Sequence, residues 1–233
     1  MHIDERQAEF RSAMDRFLAS SLYDNSGVFS VLIVGLQLMA VGCLLEAPLD
    51  AASHVAVFVA AYCLTDLWNG LLHLVLDNVT GYRTPVGPFI ANFQLHHERS
   101  GYRRAHPLRV YFNETGDKKW LLPFLVAALC MEPGHLKSLF LEVAILSSVA
   151  EVAHYWSHAA QVGPVVGRMQ RLGLLISPAE HRLHHTRDNT QYAFFTGWSN
   201  PVLNRVAEAF APGYEDRTDR YAESYEGEAG KRE

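Results

Sequence analysis

Residues 27 to 45, GVFSVLIVGLQLMAVGCLL, carry no charge. A run of that length matches a helix crossing a bilayer core, which takes roughly 20 residues at about 1.5 Å each. A second stretch, 51 to 76, is as long but holds Asp66 and His73 toward its end. A charge at that depth has to face the protein interior or a metal rather than lipid. Two further apolar segments, 120 to 131 and 136 to 160, are separated by EPGH, which reads as a tight turn. The first of this pair is short for a full span, so the two read as a helical hairpin dipping through the membrane. The expected fold is therefore all-α, an integral-membrane helical bundle of about four spans.

Around this core, Phe10, Met14, Phe17, Leu18 and Leu22 recur at helical spacing. Residues 1–25 thus read as an amphipathic helix, on the membrane surface or capping the domain. Residues 26–210 form the expected membrane-embedded domain, and 211–233 a polar, disordered tail. The N-terminus has charges of both signs before a long apolar run, unlike a secretory signal. Basic residues mark the cytoplasmic side. Arg6, Arg11 and Arg16 precede the first span, Arg83 to Lys119 supplies seven more between the second and third, and Arg168, Arg171, Arg182 and Arg187 follow the fourth. The opposite connections carry only Lys137. Multi-pass topology with both termini cytoplasmic follows, in a bacterial inner membrane or the endoplasmic reticulum.

That topology collects nine of the twelve histidines on one cytoplasmic face, as a histidine-rich helical cap. His154 and His158 in HYWSH share a helix face, with Glu151 one turn earlier. HRLHH places His181 beside His184 and His185 at i+3 and i+4. LHH adds His96 and His97, His106 follows nine residues after His97, and His73 lies two turns after Asp66, which is positioned to orient it. His54 and His135 fall on the other face, and His2 in the terminus. Nine imidazoles exceed the four ligands of one tetrahedral zinc, so two metals fit the count. Imidazole suits iron, copper, nickel and zinc alike. HExxH is absent, and a carboxylate-type di-iron pattern occurs once, as Glu151 and His154. A histidine-dominated dinuclear site remains, and iron would give it oxidative chemistry.

Cys43, Cys63 and Cys130 lie within apolar segments without metal-knuckle spacing, so a disulfide framework is not expected. The net charge of −5 and the lack of a basic stripe interleaved with aromatics argue against nucleic acid. FNETGD at 112 to 117 brings Glu114 and Asp117 near the histidine loop, and TGWSNP at 196 to 201 reads as a turn before a terminal helix, with Asn200 within reach of the site through water.

The ordered set of Asp66 and His73, the pair at 96 and 97, His106, FNETGD, HYWSH, PAEHRLHH and TGWSN resembles the Kua-type lipid desaturase family over about residues 62 to 205. The resemblance implies that His73, His96, His97, His106, His154, His158, His181, His184 and His185 hold two iron ions, with His154, His158, His181, His184 and His185 catalytic. It implies O2-dependent desaturation of a long-chain alkyl ether or acyl phospholipid, with plasmalogen-type vinyl-ether formation foremost. A di-iron lipid hydroxylase and a non-catalytic zinc-binding or zinc-transporting membrane protein are the competing classes. No haem-binding, iron–sulfur or dinucleotide pattern is present, so electrons have to come from an external donor of cytochrome b5 or ferredoxin type.

Overall fold

The computed structural model describes residues 3–20, 26–97, 106–187 and 190–210. Every regular element among them is helical. The expected tail at 211–233, together with Leu22, Arg99, Arg103 and Arg104, lies outside the described residues.

Helix α1 (Ile3–Ala19) is followed by α2 (Ser26–Leu45) and α3 (Ala51–Asp77). Asp50 starts α3 by accepting the Ser53 N–H at 2.7 Å, an N-cap of the usual kind. Short helix α4 (Gly87–Gln94) runs into a 3-10 turn, Leu95–His97. Then come α5 (Pro107–Asp117), α6 (Leu121–Leu129), α7 (His135–His158), α8 (Pro164–Arg171), α9 (Pro178–Arg187) and α10 (Asn200–Phe210). Proline in the first turn of α4, α5 and α8 suits a position whose N–H has no helical partner. Helix α9 begins with a capping box. Ser177 Oγ accepts the Glu180 N–H at 3.2 Å, and the Glu180 carboxylate accepts from the Ser177 N–H and hydroxyl.

Helix α7 is the central post, packed against α2, α3, α5, α6 and α9. Its residues Val143, Leu146, Ala150 and Ala153 meet Ala61, Leu175, Phe194 and Phe195, while Leu141 and Ala144 meet Ile33 and Ala40 of α2 and Leu121 and Leu125 of α6. Small residues at these crossings let the backbones approach closely. Where α5 meets α2, Gly116 allows a similarly close approach: a Cβ there would lie 2.2 Å from the Ser26 carbonyl oxygen.

The polarity of α2 and α3 is inverted relative to a water-soluble core helix. Val31, Leu38, Met39, Val55 and Val59 are exposed, whereas Gln37 and Asn69 are buried. Gln37 donates to Ala144 O at 3.1 Å and Ser148 Oγ at 2.9 Å and accepts from Tyr111. Apolar side chains outside and bonded polar ones inside fit a lipid surrounding.

Among the described residues two helices, α2 and α3, are long and apolar enough to cross a membrane, against the four spans expected. Helix α6 has 9 residues, about 14 Å, less than half of a bilayer core. Helix α7 has the length, and its polar groups Ser147, Ser148, Glu151 and His154 are buried against its neighbours. The apolar face of α1 also finds protein: Phe10, Ala13 and Met14 pack on Tyr82, Ile90, Ala91 and Leu95, while Leu18 stays exposed.

Candidate metal centre

Eight of the nine histidines picked out by motif come together, in two groups of four. His73, His96, His97 and His184 form one, and His154, His158, His181 and His185 the other; in each, one ligand atom per residue lies within 4.8 Å of the rest. The groups adjoin, with ring centroids of His96 and His97 5.4 and 5.2 Å from that of His185.

Helix geometry explains the division. His181 and His185 are one turn apart and reach α7 together, whereas His184 is rotated about 100° from His185 and faces α3. His106 is in neither group. It is exposed and caps α5, with Nδ1 accepting the Leu108 N–H at 3.3 Å.

In the first group, backbone carbonyls set the tautomers. Nδ1 of His73 donates to Tyr192 O at 2.8 Å, Nδ1 of His184 to Thr190 O at 2.8 Å, and Nδ1 of His96 to Phe93 O at 2.5 Å. Each bond leaves a bare Nε2 lone pair. Those three Nε2 atoms are buried without a hydrogen-bond partner. The carbonyls of Thr190 and Tyr192 flank Gln191, which sits at φ 59°, a left-handed conformation uncommon for a side-chain-bearing residue. That twist aims neighbouring carbonyls at histidines from two different helices.

A carboxylate that motif reading passed over completes this group. Asp77 lies one turn after His73 on α3. Its Oδ2 is 3.3 Å from His73 Nε2 and 3.5 Å from His184 Nε2, and its Oδ1 is 3.2 Å from His97 Nε2. The i, i+4 spacing of His73 and Asp77 was the available signal. Asp66, by contrast, does not orient His73. It accepts the N–H groups of Thr196, Gly197 and Ser199 at 2.7, 3.1 and 2.9 Å and the Ser199 hydroxyl at 2.6 Å. It thereby locks the turn at Gly197, whose φ of 86° suits glycine. Asn200 likewise braces the backbone, accepting the Ala193 N–H at 2.8 Å.

In the second group the Nε2 atoms face one another. His181 Nε2 is 2.9 Å from those of His154 and His158 and 3.0 Å from that of His185, and His154 and His158 are 3.2 Å apart. Four nitrogens bound tetrahedrally at about 2.1 Å would be about 3.4 Å apart, so this cage needs only a slight expansion to hold an ion. Burial, reinforced by the neighbouring imidazoles, holds His96, His181 and His184 well below the usual histidine value and pushes His185 down to about 2. These rings are neutral at physiological pH, the form that binds metal. Buried bare lone pairs, converging neutral imidazoles and a carboxylate are a donor set that fits two transition-metal ions.

Behind His154, Glu151 Oε2 lies 3.7 Å from its Nδ1, and Glu151 Oε1 is 2.7 Å from Lys118 Nζ. Lys118, counted above among the basic residues of the cytoplasmic side, donates inward to Asn69 Oδ1 at 2.6 Å and Ser147 O at 2.7 Å. Asp117 accepts from Ser26 at 2.6 Å.

Among the described residues, cavities reach the histidines from two places. One, of about 270 Å³, touches His73, His96 and His154 and is walled by Leu72, Leu76, Phe89, Phe93, Trp120 and Phe194, with Asn69, Asn92, Glu114, Asp117, Lys118 and Glu151 also on its surface. The other, of about 280 Å³, is lined by His97, Ser157, His158, Pro178, His181, Arg182 and His185.

Comparison with known proteins agrees with this geometry. A family model described as lipid desaturase domain matches residues 36–210. Plasmanylethanolamine desaturase of Myxococcus xanthus is 32% identical over 155 residues, covering 62% of this chain and 54% of that protein. Fatty acid desaturase 4, chloroplastic, of Arabidopsis thaliana is 29% identical over 158 residues, 64% of this chain and 48% of that one. Fatty acid desaturase 4-like 1, chloroplastic, of the same plant is 28% identical over 151 residues, with 62% and 50% covered. The chain spans about half the length of the curated relatives it matches. No solved structure matches. The family model covers most of the chain and takes in all eight converging histidines; the chain belongs to the lipid desaturase domain family.

Proposed function

We propose that this protein is a membrane-integral, iron-dependent oxidoreductase that uses O2 to introduce a double bond into a long-chain lipid. The observation that carries the reading is the adjacency of two four-histidine groups that share one largely apolar cavity. In this reading His73, His96, His97 and His184, with Asp77, hold one iron, and His154, His158, His181 and His185 the other. Bound iron supplies O2 activation and one-electron steps that amino-acid side chains do not offer.

The remaining work falls to the chain. Leu72, Leu76, Phe89, Phe93 and Phe194 hold a saturated segment against the histidines and exclude water from it. The carbonyls of Phe93, Thr190 and Tyr192 keep three imidazoles in the ligating tautomer. Glu151, held by Lys118, stands behind His154 as a fixed negative charge. The balance is a loss of two hydrogens from adjacent carbons, with O2, two electrons and two protons giving two waters. The electrons come from a separate donor of cytochrome b5 or ferredoxin type.

The names of the relatives suggest substrates. An alkyl ether phosphatidylethanolamine, giving a vinyl ether, is the first to test, and an acyl phospholipid the second. Four membrane passages, with α6 and α7 as a hairpin and both termini cytoplasmic, remain part of this proposal; α2 and α3 and their apolar exteriors support it.

The test combines elemental analysis of purified protein with mass spectrometry of lipid products. The reading expects about two iron ions per chain and a product lighter by two hydrogens. A product heavier by one oxygen would identify a hydroxylase. Zinc alone, without lipid-dependent O2 consumption, would identify a metal-binding protein of another class.

A further inference from the structure

The cavity shared by the two histidine groups carries more polar side chains than the metal ligands require, and most of them are already bonded to the protein. Lys118 donates to Asn69, Ser147 and Glu151, which uses all three of its hydrogens. Asn69 donates to Thr65 O and Ser147 Oγ, and Asp117 accepts from Ser26. Two polar side chains on this wall, Glu114 and Asn92, make no hydrogen bond among the described residues.

Burial raises the Glu114 carboxyl to about 8, and the negative charges of Glu151 and Asp117 add to the effect. At neutral pH it therefore meets the cavity as an O–H donor. Asn92 adds an amide. Because Lys118 is matched by Glu151, no uncompensated cation faces the cavity among the described residues, and a phosphate placed there would be desolvated without a counter-ion from them. At about 270 Å³ the space takes a segment of a lipid rather than a whole phospholipid.

We propose that Glu114 and Asn92 form a hydrogen-bonding subsite for an uncharged linkage oxygen of the lipid, ether or ester, adjacent to the carbons that react, while the phosphate stays outside the cavity. This rests on the lipid-desaturase reading above. The subsite measures position from the linkage, so that the first saturated carbons beyond the oxygen lie against His73, His96 and His154. A site built to bond such an oxygen discriminates against an analogue that lacks it.

The test uses the full-length, iron-loaded protein in detergent and three phosphatidylethanolamines that differ only at one linkage: O-alkyl, O-acyl, and an all-carbon chain with CH2 in place of the oxygen. Binding is read as Kd by tryptophan fluorescence, and products are read separately by mass. At least one oxygen-linked lipid should bind about fivefold more tightly than the all-carbon lipid; which one does separates ether from ester. Glu114→Leu should erase the preference, Glu114→Gln should keep most of it, and Asn92→Leu should reduce it, each at unchanged iron content. Equal binding of all three lipids by the parent protein overturns the subsite, as does a preference that survives both leucine substitutions. If the preference behaves as expected but no lipid loses two hydrogens, the subsite stands and the desaturase reading falls.

Discussion

The Nε2 atoms of His154 and His181 lie 2.9 Å apart although 27 positions separate them in the chain. Two neutral imidazoles share at most one hydrogen across such a contact, and His158 and His185 crowd the same point. A cation turns this convergence of lone pairs from costly to favourable. His181→Ala should lower the bound iron from about two per chain to about one or less, read by elemental analysis. His106→Ala, which changes only the α5 cap, should retain the full load at a cost of about 1 kcal/mol or less in stability.

Asp77 sits within 3.5 Å of three histidines of the other group. Asp77→Asn keeps the shape and removes the charge, so iron affinity should fall about 10- to 100-fold in a chelator competition. Affinity within twofold of the parent would exclude Asp77 from the ligand set.

Lys118 and Glu151 form a buried pair 2.7 Å apart. Lys118→Met strands the carboxylate and should cost about 3–5 kcal/mol in a denaturation experiment. Adding Glu151→Gln should recover part of that loss, a coupling that a double-mutant cycle measures.

The pH dependence carries two opposite signs. His96, His181, His184 and His185 have folded-state pKa values below the histidine value of 6.5. The unfolded chain therefore binds more protons, and their contribution is complete above about 6.5 and is lost as pH falls below it. Metal-free protein should show a Tm that declines steadily through this acid range. Glu114 is raised from 4.5 to about 8, so its contribution is present below 4.5 and is lost as pH rises toward 8. Glu114→Gln should thus gain in Tm over the parent progressively across that interval.

Gln191 holds φ at 59° between the two carbonyls that bond His184 and His73. Glycine adopts this conformation freely and a β-branched residue does not. Gln191→Gly should be tolerated, whereas Gln191→Val should loosen both histidines and reduce the iron bound at their group in the same elemental assay.

Periodicity made part of this centre legible. Spacings of three and four in HYWSH and HRLHH put histidines on shared helix faces, and the uncharged run at 27 to 45 announced α2. Contacts distant in sequence were not legible. His181 and His184 belong to opposite groups because helical rotation carries them to different neighbours. Asp66 turned to the loop at 196–199 because that loop presents three N–H groups. Motif reading passes over Asp77 and counts Lys118 only as a basic residue of the cytoplasmic side, because their inward partners come from packing. Two of the four expected spans, α2 and α3, carry the length and apolar composition of a membrane helix; α6 and α7 do not stand out in the same way, because a helix buried by other helices and one buried by lipid have similar compositions.

The cavity walled by leucine and phenylalanine and the one lined by Arg182 and Ser157 meet the histidines from different sides. Greasy and aqueous traffic therefore need not share a doorway. In the function proposed above, a lipid segment held in one leaves the other open to small, water-borne species, so that neither has to wait for its counterpart to leave.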